Sequence, residues 1–177
     1  MANWKTLEAD LAPLTIYNMG IGGSRMQHAS ELFVPKLVIP FKPRAVVLYE
    51  GSNDINAGVT PGEVLSQFQA VHQQIHESLP KTRLYVLGVV PSPGKRFERW
   101  EAIRSTNALL QSECAAHPWM RFIDTTSPLL GPNGKPNPDY FIPNDIHMTE
   151  AGYAIWKATI APIIISAEAA FESSPQP

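Results

Sequence analysis

A chain of 177 residues has the length of one domain, and 44% hydrophobic against 17% charged residues describes a globular protein with a real core. Its net charge of −2 excludes the basic field that nucleic acid or an anionic membrane selects, and one cysteine excludes an internal disulfide. No apolar run approaches the about 20 residues of a membrane-spanning helix. The opening Met-Ala-Asn-Trp-Lys lacks the apolar stretch of a signal peptide. The cytoplasm is therefore the default compartment, with secretion or the periplasm open if the natural chain begins further upstream.

In chain order, residues 3–12 set Trp4, Leu7 and Leu11 on one helical face, and Pro13 ends the pattern. Residues 14–19 read as a strand leading into Gly20-Ile21-Gly22-Gly23-Ser24. Glycines at this density let backbone approach a ligand closely just before a helix opens. The stretch lacks the Lys-Ser/Thr pair of a phosphate loop, and the dinucleotide fingerprint does not fit. A helix is expected over 24–40, bent at Pro35.

Residues 44–50 read as a strand buried on both faces, which breaks into Gly51-Ser52-Asn53-Asp54. That break delivers the Asn53 carboxamide to the carboxyl end of a core strand, the edge where open α/β sheets bind ligands. Taken alone, closure of a strand-to-helix turn is the commoner role of an Asn placed here.

Thr60-Pro61-Gly62-Glu63 is a helix start with capping hydroxyl, Pro at the first position and a reciprocating Glu. Val64, Phe68, Val71, Ile75 and Leu79 continue it as a core stripe. His72 and His76 sit four apart on its flank, but no third ligand is near in sequence. A partly solvated helix face is the expected reading, and no metal is assigned. A strand at 84–90 ends in a Pro-Ser-Pro-Gly loop carrying Lys95, Arg96 and Phe97, and a helix at 98–116 turns Trp100, Ile103, Leu110 and Cys114 inward. Cys114 is expected to be small core filler. A fourth strand at 119–124 precedes a proline-rich loop at 125–148, long enough to suggest function. The loop closes on Asn144-Asp145-Ile146-His147, and Thr149 caps a last helix through about Ile160. The small, polar tail from Ser166 is expected to fray. Strands alternating with helices at this spacing specify one α/β domain, a parallel sheet with helices on both faces.

Three loops converge at the carboxyl edge of such a sheet. They carry the Gly23 backbone N–H, the Asn53 side-chain N–H, and His147 with an acid two residues before it. Two donors beside a histidine suit acyl transfer. The donors hold a tetrahedral oxyanion, each contributing about 2.7–4 kcal/mol, while the histidine moves the proton and a carboxylate fixes its tautomer.

Tyr17-Asn18-Met19-Gly20-Ile21-Gly22-Gly23-Ser24 resembles the second sequence block of the SGNH (GDSL-type) hydrolases. Gly51-Ser52-Asn53-Asp54 resembles their third block, and Asp145 through Tyr153 their fifth. The interval from Gly23 to Asn53 is similar to that of the platelet-activating-factor acetylhydrolase branch. The resemblance implies a flavodoxin-like three-layer α/β/α fold and ester hydrolysis without metal or cofactor. It makes Gly23 and Asn53 oxyanion donors and His147 the general base.

The chain departs from the pattern twice. The family's first block, a G-D-S or G-S-S at the end of its first strand, is not among these residues. The nucleophile and that central strand are therefore expected to be missing, as in a chain shortened at its amino end. Ser24 and Ser52 occupy a helix cap and a turn and are not taken as substitutes. The family's D-x-x-H also becomes Asn144-Asp145-Ile146-His147, and Asp145 is the expected acid. The expectation is a serine esterase acting on a small-molecule ester in its longer form, with little activity in this chain. A binding module that uses the same donors without turnover is the alternative, and strand exchange into a homodimer is a third possibility. Phe97, Trp100, Tyr140 and Phe141 are candidate walls of an acyl pocket or core packing.

Overall fold

The computed structural model describes residues 1–173, with side chains through residue 170. Three parallel strands, β1 (Ala45–Leu48), β2 (Arg83–Leu87) and β3 (Met120–Ile123), lie side by side in sequence order. Val46 pairs with Leu84, and Leu84 with Met120. Because side chains alternate across a strand, the two faces carry different sets. Val46, Leu48, Leu84 and Val86 point to one core, and Ala45, Val47, Tyr85 and Leu87 to the other.

The first face is covered by α2 (Met26–His28), which continues as a π-helix over Ala29–Val38, and by α4 (Pro61–Ser78) and α5 (Trp100–Ala115). The second is covered by α1 (Leu7–Asp10) and α6 (Glu150–Ser173). A short α3 (Ser52–Asn56) follows β1 at the sheet edge. Helices on both faces of a parallel sheet make the three-layer α/β/α arrangement expected from the sequence. Among the described residues no helix is long and apolar enough to cross a membrane.

Several elements differ from their expected extent. Residues 14–19 form no strand, and Tyr17, Met19 and Ile21 are among the most exposed large apolar side chains. A strand exists only against a neighbour, and among the described residues β1 pairs with β2 alone. The helix over 24–40 winds mainly as a π-helix around Pro35, whose missing N–H disrupts the ordinary ladder. The amino-terminal helix shrinks to Leu7–Asp10, although Trp4, Leu7 and Leu11 are buried as their spacing implied. The last helix does not stop at Ile160 but runs through Pro162 to Ser173, so the expected fraying from Ser166 is corrected. Ile160, Ala161 and Ile164 bury into the second core and hold it there. Residues 174–177, the end of that expected tail, lie outside the described residues. The long loop contains short 3-10 turns at Ser127–Leu129 and Pro138–Tyr140.

The capping box at α4 forms as its sequence implied: Thr60 Oγ1 accepts the Glu63 N–H, and the Glu63 carboxylate accepts the Thr60 N–H at 2.8 Å. Cys114 is buried, and burial pushes its thiol up to about 12, so it packs as an inert apolar group.

Far down α6, the buried carboxylate of Glu168 accepts from Arg83 Nε and from the Tyr85 hydroxyl, each at 2.7 Å, and lies 3.3 Å from Arg44 Nε. Arg44 and Arg83 stand at the amino ends of β1 and β2. Helix α6 therefore runs antiparallel to the sheet and begins at its carboxyl edge. Removing one member of a buried ion pair strands the charge of the other. Glu168→Ala is accordingly expected to lower the unfolding free energy by about 3–5 kcal/mol, read from urea denaturation at neutral pH.

Candidate active site

Past the end of β1 the backbone turns at Gly51, with φ at +111°, where an added Cβ would stand 2.9 Å from Val89 Cγ2. Both the left-handed conformation and the close approach require glycine. The turn releases Asn53 and Asp54 from the first turn of α3, and both reach across to the glycine-rich loop. Asp54, 1% exposed, accepts the Met26 N–H with both carboxylate oxygens at 3.2 Å, which satisfies an orphan donor at the start of α2. Asn53 Nδ2 donates to the Ser24 carbonyl at 2.9 Å.

The other end of the Asn53 carboxamide is also held. Arg96 Nη2 donates to its Oδ1 at 3.4 Å, and Nη1 to Ser52 Oγ at 3.3 Å. An amide nitrogen carries two hydrogens, so one remains for a ligand. Gly23 immediately precedes the residue that Asn53 grips. Its φ of +77° and the open space at its Cβ position leave its peptide accessible. The structure thus sets the two expected donors in adjoining, cross-linked turns. Arg96 was legible only as a cation in a loop, and its grip on the carboxamide is a tertiary feature.

The histidine pair is built locally. Asn144 takes a left-handed conformation with φ +60°, and Asp145 Oδ1 then accepts the N–H of Ile146 at 2.6 Å and of His147 at 3.2 Å. The same oxygen lies 2.7 Å from His147 Nδ1. Backbone N–H donation by His147, its ring, and the Ile146 N–H hold the Asp145 carboxyl below its usual range. With Nδ1 engaged by an acceptor, Nε2 is the nitrogen left for proton exchange. The imidazole is half-exposed.

This pair enters α6, whose first turns stand at the carboxyl edge of the sheet. Trp156 packs edge-on to Tyr49 with ring centroids 5.1 Å apart, just upstream of Asn53. Topology therefore brings His147 to the same edge as Gly23 and Asn53. No described hydrogen bond joins the imidazole to either donor.

Ser24 and Ser52 serve the framework. The Ser24 hydroxyl donates to Glu50, and Ser52 Oγ accepts from Arg96. Of the four aromatic residues considered for an acyl pocket, Phe141 is core at 2% exposure. Tyr140 packs against that same core, whereas Phe97 stacks on Trp100 beside the Arg96 loop, centroids 5.5 Å apart.

Glu50 is the residue the sequence did not single out. It follows the apolar run of β1, and burial pushes its carboxyl up to about 7 despite the Ser24 hydroxyl, with nearby Asp54 adding to the rise. An acidic side chain directly after an apolar strand run was the available signal.

Residues 2–155 match the model of the GDSL-like Lipase/Acylhydrolase family. Human platelet-activating factor acetylhydrolase IB subunit alpha1 is 28% identical over 150 residues, which is 85% of this chain and 62% of that protein. The chain thus spans less than two thirds of the length of the curated relatives it matches. A GDSL-like lipase from Bacteroides thetaiotaomicron shares the fold with a TM-score of 0.72 at 24% identity, covering 84% of this chain and 74% of that one. A Streptococcus pneumoniae structure assigned to platelet activating factor gives 0.78 at 22% identity, covering 91% and 78%.

A carboxyl whose folded pKa is raised binds its proton more tightly in the native state. Its contribution to stability is complete below about 4.5 and is lost as pH rises through about 7. Glu50→Gln should therefore show a smaller loss of urea midpoint between pH 5 and pH 8 than the parent chain. Parallel profiles would contradict the burial of this carboxyl.

Proposed function

The chain belongs to the GDSL-like lipase/acylhydrolase family, and from that membership we propose that its carboxyl-edge site performs carboxylic ester hydrolysis through a serine acyl-enzyme. The carrying observation is the cross-linked pair of turns that presents the Gly23 N–H and the Asn53 carboxamide side by side. An ester carbonyl seated between them develops negative charge on its oxygen as the nucleophile adds, and the donors stabilise that charge. His147 Nε2 takes the proton of the attacking hydroxyl and returns it to the leaving alkoxide. Asp145 holds the ring by Nδ1 and offsets the imidazolium charge. The acyl-enzyme is then hydrolysed by water deprotonated at the same nitrogen. No step uses a metal or cofactor. A small-molecule ester is the substrate class, its acyl and alcohol parts unassigned.

The nucleophile belongs to a Gly-x-Ser strand that does not stand among these 177 residues. Support for where it docks comes from β1, which among the described residues has one neighbour and only partly buried side chains, and from the exposed Tyr17 and Met19 that lead into the donor loop. A strand placed there would be central and would deliver its serine to the donor edge. Preceding sequence is the proposed source. A strand from a second copy would satisfy the same edge and would show as a dimer in sedimentation.

A second reading is favoured by the engagement of both nearby serine hydroxyls in the framework. In it the chain as it stands is a binding module that holds an ester or carboxylate between the same donors without cleaving it.

Turnover of p-nitrophenyl acetate separates the readings. The chain extended upstream by a Gly-x-Ser strand should exceed the present chain by at least about 10³-fold in kcat. In that extended form Asn53→Ala should lower kcat about 10²–10³-fold, and His147→Ala should abolish turnover. An extended chain that folds well and remains inert would refute the hydrolase. Ester binding without cleavage, unaltered by His147→Ala, would establish the binding module.

A further inference from the structure

At the opposite edge of the sheet, the carboxyl-terminal half of α4 and the end of α5 bring together His72 and, 41 positions on, Glu113 with its neighbour four residues later, His117. His72 Nε2 lies 3.0 Å from Glu113 Oε1, and His117 Nε2 lies 3.5 Å from that same oxygen. All three ligand atoms fall within 4.8 Å of one another. Zinc bound tetrahedrally at about 2.0–2.1 Å sets neighbouring ligand atoms about 3.4 Å apart. The cluster is therefore already spaced for a divalent ion. We propose that His72, Glu113 and His117 form a zinc site that clamps α4 to α5.

The surroundings suit such a site. Glu113 Oε2 accepts from Gln69 Nε2 at 3.0 Å, which fixes the carboxylate and leaves Oε1 toward the two imidazoles. The His72 ring is held by packing, with Phe68 at 5.2 Å and Trp119 at 5.6 Å between centroids. Trp119 also lies 5.6 Å from the His117 ring, so one indole walls both ligands. The buried His72 and the more open His117, 35% exposed at its side chain, give the site an inner wall and an entry from solvent. Two neutral imidazoles and one carboxylate are a donor set zinc accepts, with a water completing the four.

His76, the helical neighbour four residues from His72, is not a ligand here. It stacks flat on Trp119, centroids 4.3 Å apart and planes within 4°. The second histidine comes instead from beyond the end of α5, with Glu113 four residues before it. Because the cluster lies at the amino edge of the strands, zinc there supports the fold and takes no part in chemistry at the carboxyl edge. This inference stands independently of the proposed ester hydrolysis.

Calorimetric titration of the chelator-treated chain with zinc chloride tests it directly. One ion per chain should bind with a Kd of about 1 µM or tighter, and Tm should rise with added zinc. His117→Ala, partly exposed and so expected to fold, should weaken binding at least about tenfold, as should Glu113→Gln. His147→Ala, which removes the other exposed imidazole–carboxylate pair, should leave the affinity unchanged. The absence of heat and of any Tm shift at about 0.1 mM zinc would reduce the cluster to two histidines sharing a carboxylate. Equal affinity in His117→Ala and the parent would overturn the assignment as well.

Discussion

Everything at the carboxyl edge rests on the bidentate acceptance of the Met26 N–H by Asp54. A carboxylate that is almost wholly buried needs a compensating donor, and the first free amide of α2 supplies it. In return the helix gains a negative charge at its positive end. The two turns cannot separate without stranding both groups. Asn53 sits one residue before this lock, so its carboxamide inherits the alignment and needs only the Ser24 carbonyl and Arg96 to fix its rotation. The motif Gly-x-Asn-Asp thus divides its work: glycine permits the turn, the aspartate holds the loops together, and the asparagine offers a donor.

The same reasoning explains which parts of the fold the sequence disclosed. The Gly51 turn, the Thr60 capping box and the core stripe of α4 are local, each specified by residues within a few positions. The Asp145–His147 pair is also local, a carboxylate folding back on its own chain two residues later. Residues 14–19 have strand composition, yet pairing is a property of two segments and no neighbour stands beside them. The last helix is expected to end near Ile160, but apolar residues on either side of Pro162 keep it against the core at more than the proline costs. The Glu113–His72 contact spans 41 positions and could not be seen from spacing. Family likeness supplied the proposed roles of Gly23, Asn53 and His147, which composition alone left as turn and loop residues.

The two ends of the sheet are organised by different physics. At the amino edge, charged side chains are paired: the buried Glu168 collects Arg83, Arg44 and Tyr85, and Glu113 collects two histidines. Such pairing locks helices to strands over long sequence separations. At the carboxyl edge the polar groups are partly satisfied, with an amide hydrogen of Asn53, the Gly23 peptide and one imidazole nitrogen left for something else. Rigidity at one edge and unspent hydrogen-bonding capacity at the other is the division expected of a scaffold that presents a site.

Glu50 shows how the open edge tolerates an acid. Its carboxyl accepts from the Ser24 hydroxyl while Asn53 grips the Ser24 carbonyl, so the acid and the Asn53 turn are held through one residue. Burial that pushes Glu50 up to about 7 keeps much of its population protonated near neutrality. The Ser24 hydroxyl and the neutral acid then hold the turn by hydrogen bonding, without a second negative charge beside Asp54.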